Sequence, residues 1–358
     1  MIDLQASQKA SHLQCAYLPL ATYRQHGVVW NHKLLGALCF CAASPDVSGG
    51  HCGDAPLVHV PMPPLGGSEA ACEAWAADGN FSYGQRDGVQ YAHNGDILFG
   101  AIQLPEAGLD VTVEGKTPLQ QVSEAAYKAI FALTDALAFP HILRFWNYMA
   151  DINGESHGLE RYRQFNLGRQ DGFLQSGRTV LSGVPAASAL GFEAGPLTIY
   201  FLAGRGPKPI AIENPRQVSA YHYPQHYGPR SPTFSRASVA RIGDDEVLLL
   251  SGTASIVGHR TLHAGDAVAQ TRETLANIDA MIAEANRVVP AANFTRDDLC
   301  YKVYVRHPED LAVVRDELRR TLGASARMMF LRADICRDDL LMEIEASAGH
   351  PLEFGLRG

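Results

Sequence analysis

The chain has 358 residues, enough for more than one domain with its own core, and 46% of them are hydrophobic, an ordinary share for a globular protein. A formal net charge of -8 speaks against a nucleic-acid partner, whose phosphates need a basic surface, and would repel an anionic metabolite unless arginines focus a local positive field. No run of about eighteen apolar residues offers a membrane span. Met1-Ile-Asp-Leu-Gln-Ala lacks the parts of a signal peptide, and scattered cysteines suit a reducing compartment, so a cytoplasmic protein is expected.

Residues 1–65 read as an N-terminal extension rich in Gly, Pro and Cys, with short strands such as 34–42 between turns. Its end, residues 61–67, reads as a connector. Cys39, Cys41, His51 and Cys52 match no usual zinc spacing, and no structural metal is expected. From 66 to 215, Asp96-Ile-Leu-Phe-Gly-Ala-Ile precedes a helix predicted over 119–137 and an aromatic strand over 142–149. Pro185-Ala-Ala-Ser then leads to a strand over 197–203.

From 216 to 358 the order recurs, with a strand at 247–252, a helix over 267–286 and a strand at 299–305. Val268, Leu275, Ile278, Met281 and Ile282 give that helix one apolar face. Pro308-Glu-Asp opens a second helix, which Gly323 ends, and Ser325-Ala-Arg-Met leads to a last strand over 341–347. Each copy therefore reads β-β-α-β-α-β, an α+β layer of helices on one face of a mixed sheet. Copy one ends in Leu-Thr-Ile-Tyr-Phe where copy two ends in Met-Glu-Ile-Glu, so copy two carries the carboxylates. Ala187 stands where copy two has Arg327, and Tyr200 near the place of Glu343. Trp146, Tyr148, Tyr162 and Phe165 read as packing residues, and Arg161 as either a cleft residue or half of a surface pair.

Copy two resembles the RidA/YjgF family through Leu250-Ser-Gly-Thr-Ala-Ser-Ile, Gln270-Thr-Arg-Glu-Thr-Leu-Ala-Asn-Ile, Tyr304-Val-Arg-His-Pro-Glu-Asp-Leu, Arg327 and Glu343-Ile-Glu-Ala. That resemblance implies two tandem RidA-like, chorismate-mutase-like domains, a degenerate one at 66–215 and a catalytic one at 216–358. A resemblance to the chorismatases covers more of the chain. It rests on Arg144-Phe-Trp-Asn-Tyr-Met-Ala-Asp-Ile-Asn, Leu159-Glu-Arg-Tyr-Arg-Gln-Phe, Tyr227-Gly-Pro-Arg-Ser-Pro-Thr-Phe and Ala333-Asp-Ile-Cys-Arg-Asp-Asp-Leu-Leu-Met-Glu343. It implies a cofactor-free enzyme that removes pyruvate from chorismate and leaves 3- or 4-hydroxybenzoate or a dihydroxycyclohexadiene carboxylate. A RidA-type imine or enamine deaminase and a metabolite-binding protein are the competing readings. The oligomeric state stays open between a monomer and a trimer-like or other homo-oligomer.

Cleaving an enol ether needs a proton delivered to carbon, and a carboxyl buried among apolar residues stays protonated near neutrality. Glu343, between Met342 and Ile344, fits that role, although the same alternation fits a half-exposed strand. The resemblance decides for Glu343 over Glu345 as general acid. Two substrate carboxylates call for guanidinium forks and phenols, and Arg230, Arg306, Arg327, Tyr221 (sharing a face with Tyr223) and Tyr227 are the candidates. The resemblance further implies that Cys336 directs the product and that Ala254 forms the wall opposite it.

Overall fold

The computed structural model describes residues 12–30, 33–43, 54–67 and 70–350. The N-terminal segment supplies β1 (Leu13–Pro19), α1 (Leu20–Trp30), β2 (Leu34–Cys41), β3 (Leu57–Val60) and β4 (Ala70–Ala77). Copy one begins with β5 (Ser82–Arg86), β6 (Val89–His93), β7 (Ile97–Leu104), α2 (Pro118–Ala136) and β8 (His141–Ala150). It continues through the small hairpin β9 (Glu155–Ser156) and β10 (Leu159–Glu160) to α3 (Arg161–Gln175), β11 (Ala186–Phe192) and β12 (Leu197–Gly204). Copy two opens with β13 (Ile210–Ile212), β14 (Ala237–Ile242) and β15 (Asp245–Thr253). A second small hairpin follows, β16 (Ile256–Val257) and β17 (Arg260–Thr261), then α4 (Ala267–Val288), β18 (Cys300–Val305), α5 (Leu311–Leu322), β19 (Arg327–Arg332) and β20 (Met342–Ala348).

Local chemistry accounts for the main helices. Thr117 caps α2 by accepting from the Gln120 backbone, with Pro118 in the first turn, where its missing N–H costs nothing. Leu119, Val122, Ala126, Ile130 and Leu133 then form its buried stripe. Asp266 caps α4 in the same way by accepting from Ala269. Gly323 ends α5 at φ +87°, a backbone conformation that glycine adopts without a Cβ penalty.

The duplication is visible strand for strand. The copy-one sheet runs β11-β8-β12-β7-β6-β5, and the copy-two sheet, from the matching edge, runs β19-β18-β20-β15-β14-β13. In each the first pair is parallel and every other pair antiparallel. The N-terminal sheet, β3-β2-β4-β1, follows the same rule. Its chain order β1, α1, β2, β3, β4 repeats β7, α2, β8, β11, β12, so this segment, read from sequence as an extension, is laid out as a shortened third copy. β4 lies beyond residue 65, and the third sheet thus draws on both sides of the expected border. The stretch read as a connector extends the copy-two sheet instead: Leu65 N donates to Phe330 O at 2.9 Å and Arg332 N to Pro63 O at 2.9 Å.

Helices α2 and α4 each cover one face of a sheet, and the opposite faces of all three sheets share one core that includes Phe40, Trp75, Phe99, Trp146, Tyr200, Leu249 and Tyr304. The registers fix which residues correspond. Glu343 lies opposite Tyr304, Thr198 opposite Tyr148, and Ala71 opposite Phe40. Two residues further along, Glu345 faces Lys302, Tyr200 faces Trp146, and Glu73 faces Leu38. Thr198, and not Tyr200, therefore occupies the copy-one place of Glu343.

At the meeting of the three sheets sits a buried, charge-balanced cluster. Lys302 Nζ lies 2.6 Å from Glu345 Oε1 and also pairs with Glu73. Glu345 accepts from Arg144 at 2.9 Å, Trp146 at 3.0 Å and Ser188 at 2.7 Å, while Glu73 accepts from Trp75 at 2.7 Å and Tyr200 at 2.9 Å. Burial works against the Lys302 charge, but Glu345 and Glu73 outweigh it and hold the ammonium above its usual range. Burial also opposes the Glu345 charge, and Lys302 with Arg144 overcomes it. No helix among the described residues is long and apolar enough to cross a membrane.

Candidate active site

Strand β20 decides where the two carboxylates go. Met342, Ile344, Ala346 and Ala348 face the helices, so Glu343 and Glu345 point the other way, into the seam between copies one and two. Glu345 enters the central cluster described above. Glu343, 4% exposed, lines a cavity of about 600 Å³ along the seam. Gly252 on β15 makes that approach possible, because a Cβ there would fall on Glu343 Oε1. Burial, reinforced by the negative Glu345, raises the Glu343 carboxyl to about 8 against the pull of Arg144, Arg236 and Arg306. It is a neutral acid at pH 7.

Both copies build the walls. Copy one contributes the β9–β10 hairpin with Glu155, Leu159 and Glu160, followed by Tyr162 and Arg163 at the start of α3. Copy two contributes Phe234 and Arg236 ahead of β14, Ala254 and Ile256 after β15, and the loop residues Cys336 and Arg337. The two short hairpins face the same cleft from opposite copies. Cys336 is half-buried, and burial together with Glu343 pushes its thiol up to about 12, so it is not a thiolate near neutrality.

Two arginines keep open donors here. Arg236, 6% exposed, donates from Nη2 to Tyr223 Oη at 2.7 Å and Val218 O at 2.8 Å, while its buried Nε has no partner among the described residues. Arg337 donates from Nη1 to His259 O at 2.9 Å and stacks 4.3 Å above the Tyr227 ring, and its Nη2 is likewise unpartnered. The arrangement can grip an anion, hold a proton beside it and limit water.

Of the residues singled out from sequence, Glu343, Cys336, Ala254 and Tyr227 meet in this cavity. Arg230 does not line it; its guanidinium pairs with Asp171 on α3. Arg327 lies at the opposite end of its strand, level with Cys300 where Glu343 is level with Tyr304, and is exposed. The Arg327–Glu343 pair behind the deaminase reading is therefore not assembled. Arg306 is spent on structure: it donates to the Leu340, Ile335 and Arg337 carbonyls at 2.8, 3.1 and 2.8 Å and to Asp334 at 2.8 Å, clamping the loop that carries Cys336. Tyr221 packs edge-on against His222, and its neighbour Tyr223 lines the cavity instead. Arg161 pairs with Glu106 and caps the Ala150 carbonyl at 2.8 Å. Tyr162, expected in the core, lines the cavity. Of the missed residues, Arg163 and Arg337 stood inside the motifs quoted for the resemblance and Arg236 two residues beyond one, and only Arg337 adjoins a residue that was chosen, Cys336. Cys39 is buried against Cys72, and His51 and Cys52 fall outside the described residues. Among the described residues no group of three or more His, Cys, Asp or Glu could hold a metal ion.

A cleft between two copies of one α+β unit, with a buried carboxyl and open guanidinium donors, defines a small-molecule site suited to an anion. The comparisons with known proteins carry this to a family. A family model described as Chorismatase FkbO/Hyg5-like, N-terminal, matches residues 73–203. The 3-hydroxybenzoate synthase of Streptomyces hygroscopicus is 38% identical over 286 residues, covering 78% of this chain and 81% of that protein. A chorismatase of Streptomyces rapamycinicus is 40% identical over 283 residues, covering 77% of this chain and 82% of that protein. A chorismatase crystal structure matches with a TM-score of 0.82 and 32% identity, covering 96% of this chain and 100% of that one. This chain belongs to the chorismatase family.

Proposed function

We propose that this chain cleaves the enol ether of chorismate, releasing pyruvate and 3- and/or 4-hydroxybenzoate, with Glu343 as the proton donor. The observation that carries the reading is the Glu343 carboxyl, held at about 8 by burial at the floor of the cleft. Its proton adds to the methylene carbon and turns the enol ether into an oxocarbenium ion. The ring carbon–oxygen bond then breaks and frees pyruvate. Loss of the proton from the carbon bearing the ring hydroxyl gives 4-hydroxybenzoate. Attack of that hydroxyl on the neighbouring cationic carbon, opening of the resulting epoxide at its original carbon and loss of one ring proton give 3-hydroxybenzoate instead. That proton balances the one Glu343 supplied, so no water is consumed. A donor placed in this way contributes about 10²–10⁴ in rate.

Arg236 and Arg337 supply the positive field that a dianion needs in a chain of charge -8. Cys336, as a neutral thiol against the ring, keeps water from the cation and so favours the aromatic product over the dihydroxy acid, which needs a water molecule. Ala254 leaves room for the ring. Both walls of the cleft come from this chain, which supports a working monomer. Seven cysteines scattered without a framework support a reducing, cytoplasmic setting. The test is incubation of the purified protein with chorismate. Pyruvate and hydroxybenzoate should appear in equal amounts without added cofactor, and a failure to release pyruvate would overturn the reading.

A further inference from the structure

Helix α3 begins at the cleft with Tyr162 and Arg163, and its last turn reaches a second cavity of about 330 Å³. Phe173 of α3, Phe131 of α2, Ile142 of β8 and Val184 ahead of β11 give this cavity apolar walls. Ala211 of β13 and Ser238 of β14 close it from copy two. No residue lines both cavities. Between them the chain is sealed by Ser235, the neighbour of Arg236, whose N donates to Pro185 O at 3.1 Å and whose Oγ donates to Val184 O at 2.8 Å.

The charged residues on these walls are all basic. His141, Arg178 and Lys208 line the cavity, with no carboxylate beside them, in a chain of net charge -8. Arg178 pairs through Nη2 with Asp135 and lies 5.2 Å from the centre of the Phe131 ring, while its buried Nε has no partner among the described residues. Lys208 sets its ammonium over Gly183, 3.7 Å from where a Cβ would stand, and pairs with no carboxylate among the described residues. The buried hydroxyls offer an anion nothing, because Thr134 donates to Phe131 O at 3.0 Å and Ser238 to Leu143 O at 2.8 Å. A bound negative charge would therefore fall to the cations.

The geometry points to this cavity as a binding site for a small aromatic monocarboxylate, separate from the cleft. Phe131 and Phe173 stand edge to face, with ring centres 4.9 Å apart and planes at 87°, an arrangement that a third ring can extend. The charge selects a single carboxylate. Asp135 neutralises Arg178, and burial together with Lys208 holds His141 below its usual range, so it is uncharged at pH 7. Lys208 is left as the unmatched cation, and a second carboxylate would lie unpaired among apolar walls. The volume is at the small end of ligand sites and suits one ring. The hydroxybenzoates of the proposed reaction belong to this class, yet nothing in the site depends on that reaction.

Equilibrium dialysis of labelled benzoate against the parent, Lys208→Glu and Ala211→Phe tests the site, and crystals grown with 3-bromobenzoate locate the ligand by anomalous scattering. The parent should show bromine among Phe131, Phe173 and Val184. Lys208→Glu reverses the unmatched charge at an exposed position and should bind one benzoate fewer per chain. Benzamide, the uncharged isostere, should bind this cavity about tenfold more weakly or worse. Ala211→Phe fills the cavity while keeping every cation, should lose the same benzoate, and decides the matter if the charge reversal unfolds the chain. Bromine in the cleft alone, or benzoate binding equal in the parent and both variants, would overturn the assignment. A parent that releases no pyruvate from chorismate would sink the reaction and leave this site standing.

Discussion

Copies one and two share strand order, parallel pair and register, yet differ where they face each other. Opposite Tyr148, copy one has Thr198, whose hydroxyl accepts from Gln103 at 3.0 Å. Opposite Tyr304, copy two has Glu343, with no side-chain hydrogen bond among the described residues and a cavity in front of it. Two residues on, Tyr200 and Glu345 both enter the central cluster. One position in each copy thus helps weld the sheets together, and only in copy two does the neighbouring position line the large cavity. Copy one is no bystander: it supplies Tyr162, Arg163 and Arg169 across the seam. Duplication let one unit keep the acid while the other became its wall.

The largest effect should come from removing that difference. Glu343→Gln keeps shape and loses the proton, so turnover should fall about 10²–10⁴-fold while the melting temperature holds. Steady-state pyruvate release measures it, and turnover near the parent's would discard Glu343 as the donor. Next comes the welding position. Lys302→Met leaves Glu73 and Glu345 buried without their shared cation and should destabilise by ~3–5 kcal/mol in denaturant unfolding. Adding Glu73→Gln should recover part of the loss, because one orphaned charge goes with it. A single variant with unchanged stability would show that the cluster holds nothing together.

The contrast also has a pH signature. Glu343 is raised from an ordinary 4.5 to about 8, so its contribution to stability is complete below about 4.5 and is lost as pH climbs through about 8. The donor form disappears over the same upper range. The rate should therefore fall on the alkaline side with an apparent midpoint near 8, and the melting temperature of Glu343→Gln should drop less between pH 6 and 9 than that of the parent. A rate that stays flat to pH 10 would sink the assignment.

Much of this was legible in the sequence because it is local. The apolar stripes of α2 and α4, the proline and glycine at the ends of the helix after β18 and the Met-Glu-Ile-Glu strand each declare themselves within a few residues. The third sheet was not legible, because β4 joins β1 and β2 across a stretch that reads as turns. The arginines failed for a related reason. Arg230, Arg306 and Arg327 sit in the right motifs, but whether a guanidinium is free depends on distant partners such as Asp171 and Asp334.

The smallest effect concerns the fate of the ring. Cys336 stands beside Glu343 with a neutral thiol, held by a loop that Arg306 ties down from behind. Cys336→Ala leaves Glu343, the cleft arginines and the loop clamp in place, so chorismate should still be consumed. The space left by sulfur admits water to the cation, and the dihydroxy acid should rise against hydroxybenzoate. Two exits from one cation need differ by only about 1.4 kcal/mol for their ratio to change tenfold, so a shift of that order or less is expected in the chromatographed products. An unchanged ratio would take the thiol out of the choice of product. Ala254→Gly in the same assay enlarges the cleft without touching the sulfur, and a shift there alone would move that choice to Ala254.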